Sequence, residues 1–156
     1  MLLKGKFLER NINKVCDCVN NIGGFAHKLE PKRTQGGTYI EGEPFDYIVI
    51  MKDYKAVFDA KEVKGTKWHM VDKDIKQCNL MKKCKNSGFK AYFIFYFSGK
   101  VRTIDIDEII SVLESGKKTI DLNIGEKWDL LEVLNNEQNN NATKSCKFKE
   151  RRGGIL

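Results

Sequence analysis

Asp46, Asp59 and Lys61 are the residues whose types and spacing point to chemistry in this chain. They lie in the stretch PFDYIVIMKDYKAVFDAK, residues 44–61, where two apolar runs, residues 47–51 and 56–58, flank a polar break at Lys52-Asp53. That pattern predicts two antiparallel strands joined by a tight turn. With Lys52 and Asp53 as the loop, Ile50 faces Lys55, Ile48 faces Val57 and Asp46 faces Asp59, so two carboxylates form a directly opposed cross-strand pair. Lys61 shares the face of Asp59 because strand side chains alternate with period two. Opposed like charges destabilise a strand pair, and a divalent metal is the natural counter-ion. Mg²⁺ sits on one or two carboxylates and keeps waters and substrate phosphates in its other positions. The neighbouring lysine is then placed to hold or deprotonate an attacking water, or to stabilise charge on a phosphate. The chemistry implied is metal-assisted phosphodiester hydrolysis. The bland alternative is that Asp46 only starts a strand and Asp59 points to solvent.

The elements that must position these residues follow from periodicity. Leu8, Ile12, Val15, Val19 and Ile22 are spaced by fours and threes, which predicts an amphipathic helix over residues 6–21, ended by Gly23-Gly24. Glu9 borders the apolar stripe, either facing the domain or serving as an ordinary first-turn acid. Residues 25–29 read as a strand, and residues 30–43 as an exposed loop or short projecting hairpin carrying Lys32 and Arg33. The connector 63–71 holds Lys64, Lys67, Trp68 and His69, and a lone histidine beside a tryptophan is best read as a packing or hydrogen-bonding residue. Asp72 is the expected N-cap of a second helix running to Asn86, with Ile75, Cys78, Met81 and Cys84 inward and Gln77 among its lysines.

Residues 89–97, FKAYFIFYF, are apolar on both faces and predict an interior strand. Ser98-Gly99-Lys100 turns the chain into a partner strand at 101–106. Asp107 is the expected cap of a short helix through Glu114, residues 120–124 an edge strand, and residues 126–134 a last helix. From Asn135 onward little remains to bury, so the chain divides into one domain, 1–134, and a disordered basic tail, 135–156.

The 156 residues suit a single compact domain, and the net charge of +7 points to a polyanionic partner. Between Lys61 and Lys90 nine lysines stand against three acids, so the charge concentrates beside the proposed chemical face. Lys64, Lys67, Lys73, Lys76 and Lys83, with Lys32 and Arg33, are the candidate phosphate contacts. The five cysteines and two histidines lack zinc-site spacing and read as reduced thiols and ordinary imidazoles. There is no run of apolar residues long enough to span a bilayer and no secretory signal, so a cytoplasmic protein is expected.

The succession helix, strand, strand, strand, helix, strand, strand, with an acid opening the second strand and acid-x-lysine closing the third, resembles the core of the PD-(D/E)xK nuclease superfamily. Within it the chain looks most like the RecU-type Holliday junction resolvases of Gram-positive bacteria and their phages. Gly5-Lys6-Phe7-Leu8-Glu9 is similar to that family's helix opening, Phe45-Asp46-Tyr47 to its T-D-Y segment, and Phe58-Asp59-Ala60-Lys61-Glu62 to F-E-A-K-E. Gln77 falls where the family carries a glutamine. The resemblance implies an α/β fold with a mixed central β-sheet flanked by helices, as in restriction endonucleases. It also implies a homodimer cutting branched DNA, with no membrane partner. By the same resemblance Asp46, Asp59 and the Ala60 carbonyl bind Mg²⁺ or Mn²⁺, Lys61 positions the water, and Glu9 and Gln77 complete the metal shell or hold its waters. Asp59 stands where the family has glutamate, and the loop between His27 and Asp46 is shorter than the family's junction-inserting stalk. A non-catalytic nucleic-acid-binding module on the same fold, or a nuclease without junction specificity, are the alternative readings.

Overall fold

The computed structural model describes residues 6–30, 35–36 and 44–140. Lys32, Arg33 and most of the loop expected at 30–43 lie outside the described residues, as does everything beyond 140. The central hairpin has the predicted register. β2 (Tyr47–Ile50) pairs antiparallel with β3 (Lys55–Glu62), Ile50 opposite Lys55 and Ile48 opposite Val57. The Met51 N–H donates to the Tyr54 carbonyl across Lys52-Asp53 at 2.7 Å, which closes the turn. β1 (Phe25–Lys28) extends this hairpin on the outer side, while β5 (Lys90–Phe97) lies parallel to β3 and β6 (Lys100–Asp105) antiparallel to β5. The mixed five-stranded order is therefore β1-β2-β3-β5-β6, with β3 in the middle and the apolar β5 in the interior, as expected. Ser98 and Gly99, both with positive φ (48° and 74°), form the turn from β5 to β6. Two successive left-handed residues match the twist of a tight hairpin, and glycine takes the second at no steric cost.

The alternation along β3 divides the core. Ala56 and Phe58 face a cluster built with α1 (Lys6–Asn21) and α4 (Asp129–Asn140), while Val57 faces a second cluster built with α2 (Asp72–Asn86) and α3 (Ile106–Glu114). Phe58 is fully buried between Tyr47 and Tyr92, each ring centroid 5.2 Å away, and meets the edge of Trp128. Asp59 and Lys61 point to the α2 side, like Val57.

Five expectations are corrected. The connector 63–71 contains a strand, β4 (Lys67–His69), whose partner is β7 (Thr119–Asp121); the two form a separate small sheet, so β7 is not an edge of the central one. Residues 122–124 form a 3-10 turn instead of continuing that strand. Neither expected cap is the actual one: Val71 occupies the N-cap of α2 with Asp74 reaching back to it, and Asp105 caps α3 by accepting from the Asp107 N–H. The last helix starts later and runs through Asn140, past Leu134, because buried Leu130 and Leu134 anchor it and each further residue then adds a hydrogen bond without a new nucleation step. Cys16, Cys78 and Cys84 are free thiols as expected, but Cys18 is disulfide-bonded.

Phe58→Ala removes the ring that locks the sheet to the α1 side and should lower unfolding stability by about 3–5 kcal/mol. Urea denaturation measures this, and a change below about 1 kcal/mol would contradict the packing.

Candidate active site

Asp46 immediately precedes β2, and the register carried one step past Tyr47 opposite Phe58 brings it to Asp59. The Asp46 charge acts directly on the Asp59 carboxyl. Asp46 Oδ2 also accepts the Ala60 N–H at 3.0 Å, which pins the start of β2 to the middle of β3. Asp59 is only 3% exposed. Burial, then the Asp46 charge, push its carboxyl up to about 7, against the opposing pull of Lys61. This is a strand pair holding a charge conflict that a cation would resolve.

Lys61 Nζ lies 3.3 Å from Asp59 Oδ2 and 3.4 Å from Asp74 Oδ1. Its ammonium stands 5.7 Å from the Phe93 ring centre and 6.0 Å from that of Trp68. Burial pulls this ammonium down, but Asp59 and Asp74 outweigh it and hold it above the ordinary lysine value. Lys61 is thus a fixed cation and a donor.

Asp74 is a residue the sequence reading missed. It is buried on α2 and accepts the Val71 N–H through Oδ2 at 3.0 Å. The signal was present, since an acid three residues after an N-cap is a capping residue, but its second contact to Lys61 depends on how α2 packs against the sheet. Gln77, one turn further along α2, has a buried amide oxygen with no hydrogen-bond partner.

Glu9 is paired with Lys28, an ammonium that also feels the Asp46 charge. It sits on the α1 side of the sheet, where Lys28 Nζ donates to its Oε1 at 3.0 Å. Glu62 also points that way, accepting the Leu8 N–H at 2.8 Å and so capping the start of α1. His69 is hydrogen-bonded through Nδ1 to Thr119 Oγ1 at 2.9 Å across the small sheet, the bonding role expected of it. Lys64, Lys67, Lys73, Lys76 and Lys83 are exposed. Four other lysines of the dense segment are tied to acids: Lys61 as described, Lys82 to Asp107, Lys85 to Asp105 and Asp107, and Lys90 to Asp129.

The donor set fits a hard divalent cation. Asp46, Asp59 and the Ala60 carbonyl would hold it, and the unpartnered Gln77 oxygen is the kind of group that holds a coordinated water. Among the described residues there is no cluster of three or more acidic, histidine or cysteine side chains, so waters and substrate oxygens would fill the remaining positions.

With this geometry in view, the chain matches the family model of recombination protein U, RecU, over residues 3–139. It belongs to the RecU family. RecU proteins are Holliday junction resolvases, nucleases of DNA recombination. Comparison with curated proteins returns no match. Among solved structures it is similar to Hjc, a Holliday junction resolvase of the archaeal hyperthermophile Archaeoglobus fulgidus, with 14% identity and a TM-score of 0.54 over 81% of this chain and 98% of that one. At that identity the likeness shows a shared nuclease fold. No helix among the described residues of this RecU-family chain is long and apolar enough to cross a membrane.

The charge conflict at Asp59 has a measurable sign. Its folded carboxyl lies above its unfolded value, so the metal-free protein should lose stability as pH rises from about 4 to about 7 and level off above that. Asp59→Asn should abolish this loss. In thermal denaturation with chelator, the variant should match the parent near pH 4 and exceed it increasingly up to pH 7. A variant less stable than the parent at pH 8 would mean that the Asp59 charge is net favourable through Lys61.

Proposed function

We propose that this chain is a divalent-metal-dependent endodeoxyribonuclease that cuts branched DNA, four-way junctions above all, as a homodimer. The observation that carries the reading is the buried Asp46 and Asp59 pair beside the fixed Lys61 ammonium. Mg²⁺ or Mn²⁺ bound there supplies Lewis acidity to the phosphodiester. Asp46 and Asp59 orient that ion, with the Ala60 N–H holding the Asp46 carboxylate in place. Lys61 Nζ, a permanent donor, orients the attacking water and stabilises charge on a non-bridging phosphate oxygen, and the aromatic wall of Phe93 and Trp68 keeps bulk water from its other side. Water oxygen attacks phosphorus, one P–O ester bond breaks, and the proton the water gives up passes through solvent to the departing oxygen. The role of Lys61 in this scheme is to position, not to deprotonate, because Asp59 and Asp74 stabilise its charged form.

The exposed Lys64, Lys67, Lys73, Lys76 and Lys83 are phosphate contacts that bring the backbone to this face. A four-way junction has two-fold symmetry, so two copies present two such sites to opposite strands.

The test is incubation of the purified protein with labelled four-way junction, linear duplex and single strands, with Mg²⁺, Mn²⁺ or chelator. Metal-dependent cutting of the junction is expected, and no cutting of any substrate would contradict an enzyme. Lys61→Ala should lower turnover by about 10² or more with junction affinity changed far less. Lys73→Ala and Lys83→Ala should instead weaken binding and each reduce the salt dependence by about one unit of slope. Normal cleavage by Lys61→Ala with only affinity lost would reduce Lys61 to a phosphate contact and remove the role given to it here.

A further inference from the structure

The Lys61 ammonium has two carboxylate anchors, and they are not equivalent. Asp59 belongs to the pair that would hold the cation. A divalent charge on Asp59 draws electron density away from Lys61 and repels the ammonium directly. A lysine with that single anchor would swing away on its flexible four-carbon stem when the site is most in need of it.

Asp74 is placed differently. It sits at the third position of α2, and Oδ2 takes the Val71 N–H while Oδ1 points at Lys61. The carboxylate is fixed by the helix start, and the helix is fixed by Cys78 and Met81, both fully buried on the same side of the sheet. Capping alone does not call for a charged group, since a neutral amide oxygen at the same helix position also reaches back to the N-cap N–H. Among the described residues Asp74 does not join Asp46 and Asp59 in a three-acid group that could hold an ion.

We infer that Asp74 is a positioning residue, which keeps the Lys61 ammonium aimed at the reacting phosphate while Asp59 is engaged elsewhere. It makes the docking of α2 part of the active site: Lys61 comes from the sheet, and its direction comes from the helix. The inference rests on the nuclease reading above and adds to it a residue and a mechanism of alignment.

The discriminating variant is Asp74→Asn, which keeps an oxygen for the Val71 N–H and removes the charge facing Lys61. Three quantities are compared in the full-length parent, Asp74→Asn, Lys61→Met and the double variant. They are the single-turnover rate on saturating four-way junction with Mg²⁺, the junction dissociation constant, and the Lys61 ammonium signal in ¹H–¹⁵N spectra of DNA-free protein saturated with Mg²⁺. Lys61→Met identifies that signal by its absence. Asp74→Asn should cut about 10-fold or more slowly, bind junction within about twofold of the parent, and lose or broaden the ammonium signal. Added to Lys61→Met it should cause no further loss of rate, since there is then no ammonium to aim.

Parent-like rate and ammonium signal in Asp74→Asn would overturn the inference and leave the nuclease intact. So would an equal rate loss in the Lys61→Met background, which would place the action of Asp74 elsewhere. A parent that cuts no DNA would overturn the nuclease reading and this inference together. Should Asp74→Asn fail to fold, Asp74→Gln, whose neutral amide oxygen can reach back to the N-cap N–H, carries the same comparison.

Discussion

The two-residue turn between β2 and β3 fixes a register in which two carboxyl groups must meet, and the rest of the structure accommodates that meeting. Asp46 is held by the Ala60 N–H, and Asp59 is closed off from water in the middle strand of the sheet. Such a pair is unfavourable by itself: burial and mutual repulsion together push the Asp59 carboxyl far above its ordinary range. The surrounding fold offsets this locally with one cation, Lys61, and over a longer range with the aromatic stack of Tyr47, Phe58 and Tyr92 on the opposite face of the same strands. Apolar cores lie on both sides of the sheet, and the charged groups of Asp59 and Lys61 are set into the one on the α2 side.

This division orders the charges as well. The dense lysines after β3 read in sequence as one positive surface, but they serve two purposes. Lys82 and Lys85 reach from α2 to the acidic start of α3, joining two helices that cover the same face, while Lys64, Lys67, Lys73, Lys76 and Lys83 remain at the surface. The field that a polyanion meets is therefore weaker and more localised than the count of lysines suggests. Acidic residues do the corresponding structural work on the other side, where Glu62 caps α1 and Glu9 engages Lys28.

Much of this was legible in the sequence because local rules governed it. The hairpin register followed from the polar break at Lys52-Asp53, the interior position of β5 from its two apolar faces, and α1 from the spacing of Leu8, Ile12, Val15 and Val19. What escaped depended on contacts between distant segments. The three residues of β4 are a strand only because β7, some fifty positions later, pairs with them. Asp72 and Asp107 looked like caps, but Asp74 and Asp105 were better placed by the backbone that precedes each helix. Asn135 to Asn140 have too few apolar residues to suggest a helix, yet they continue one already anchored by Leu130 and Leu134. The hairpin register placed Asp46, Asp59 and Lys61 on one face in the sequence, whereas the contacts of Glu9 with Lys28 and of Asp74 with Lys61 depend on how the helices pack.

The central claim is that the register of one hairpin builds a cation site from Asp46 and Asp59. Anomalous diffraction from crystals soaked in Mn²⁺ addresses it most directly, because the ion's position is read without reference to activity. The account predicts an anomalous peak coordinated by carboxylate oxygens of both Asp46 and Asp59, with the Lys61 ammonium remaining on Asp74. A saturating soak that leaves no ion between the two carboxyl groups, or that places the ion on other residues, would contradict it.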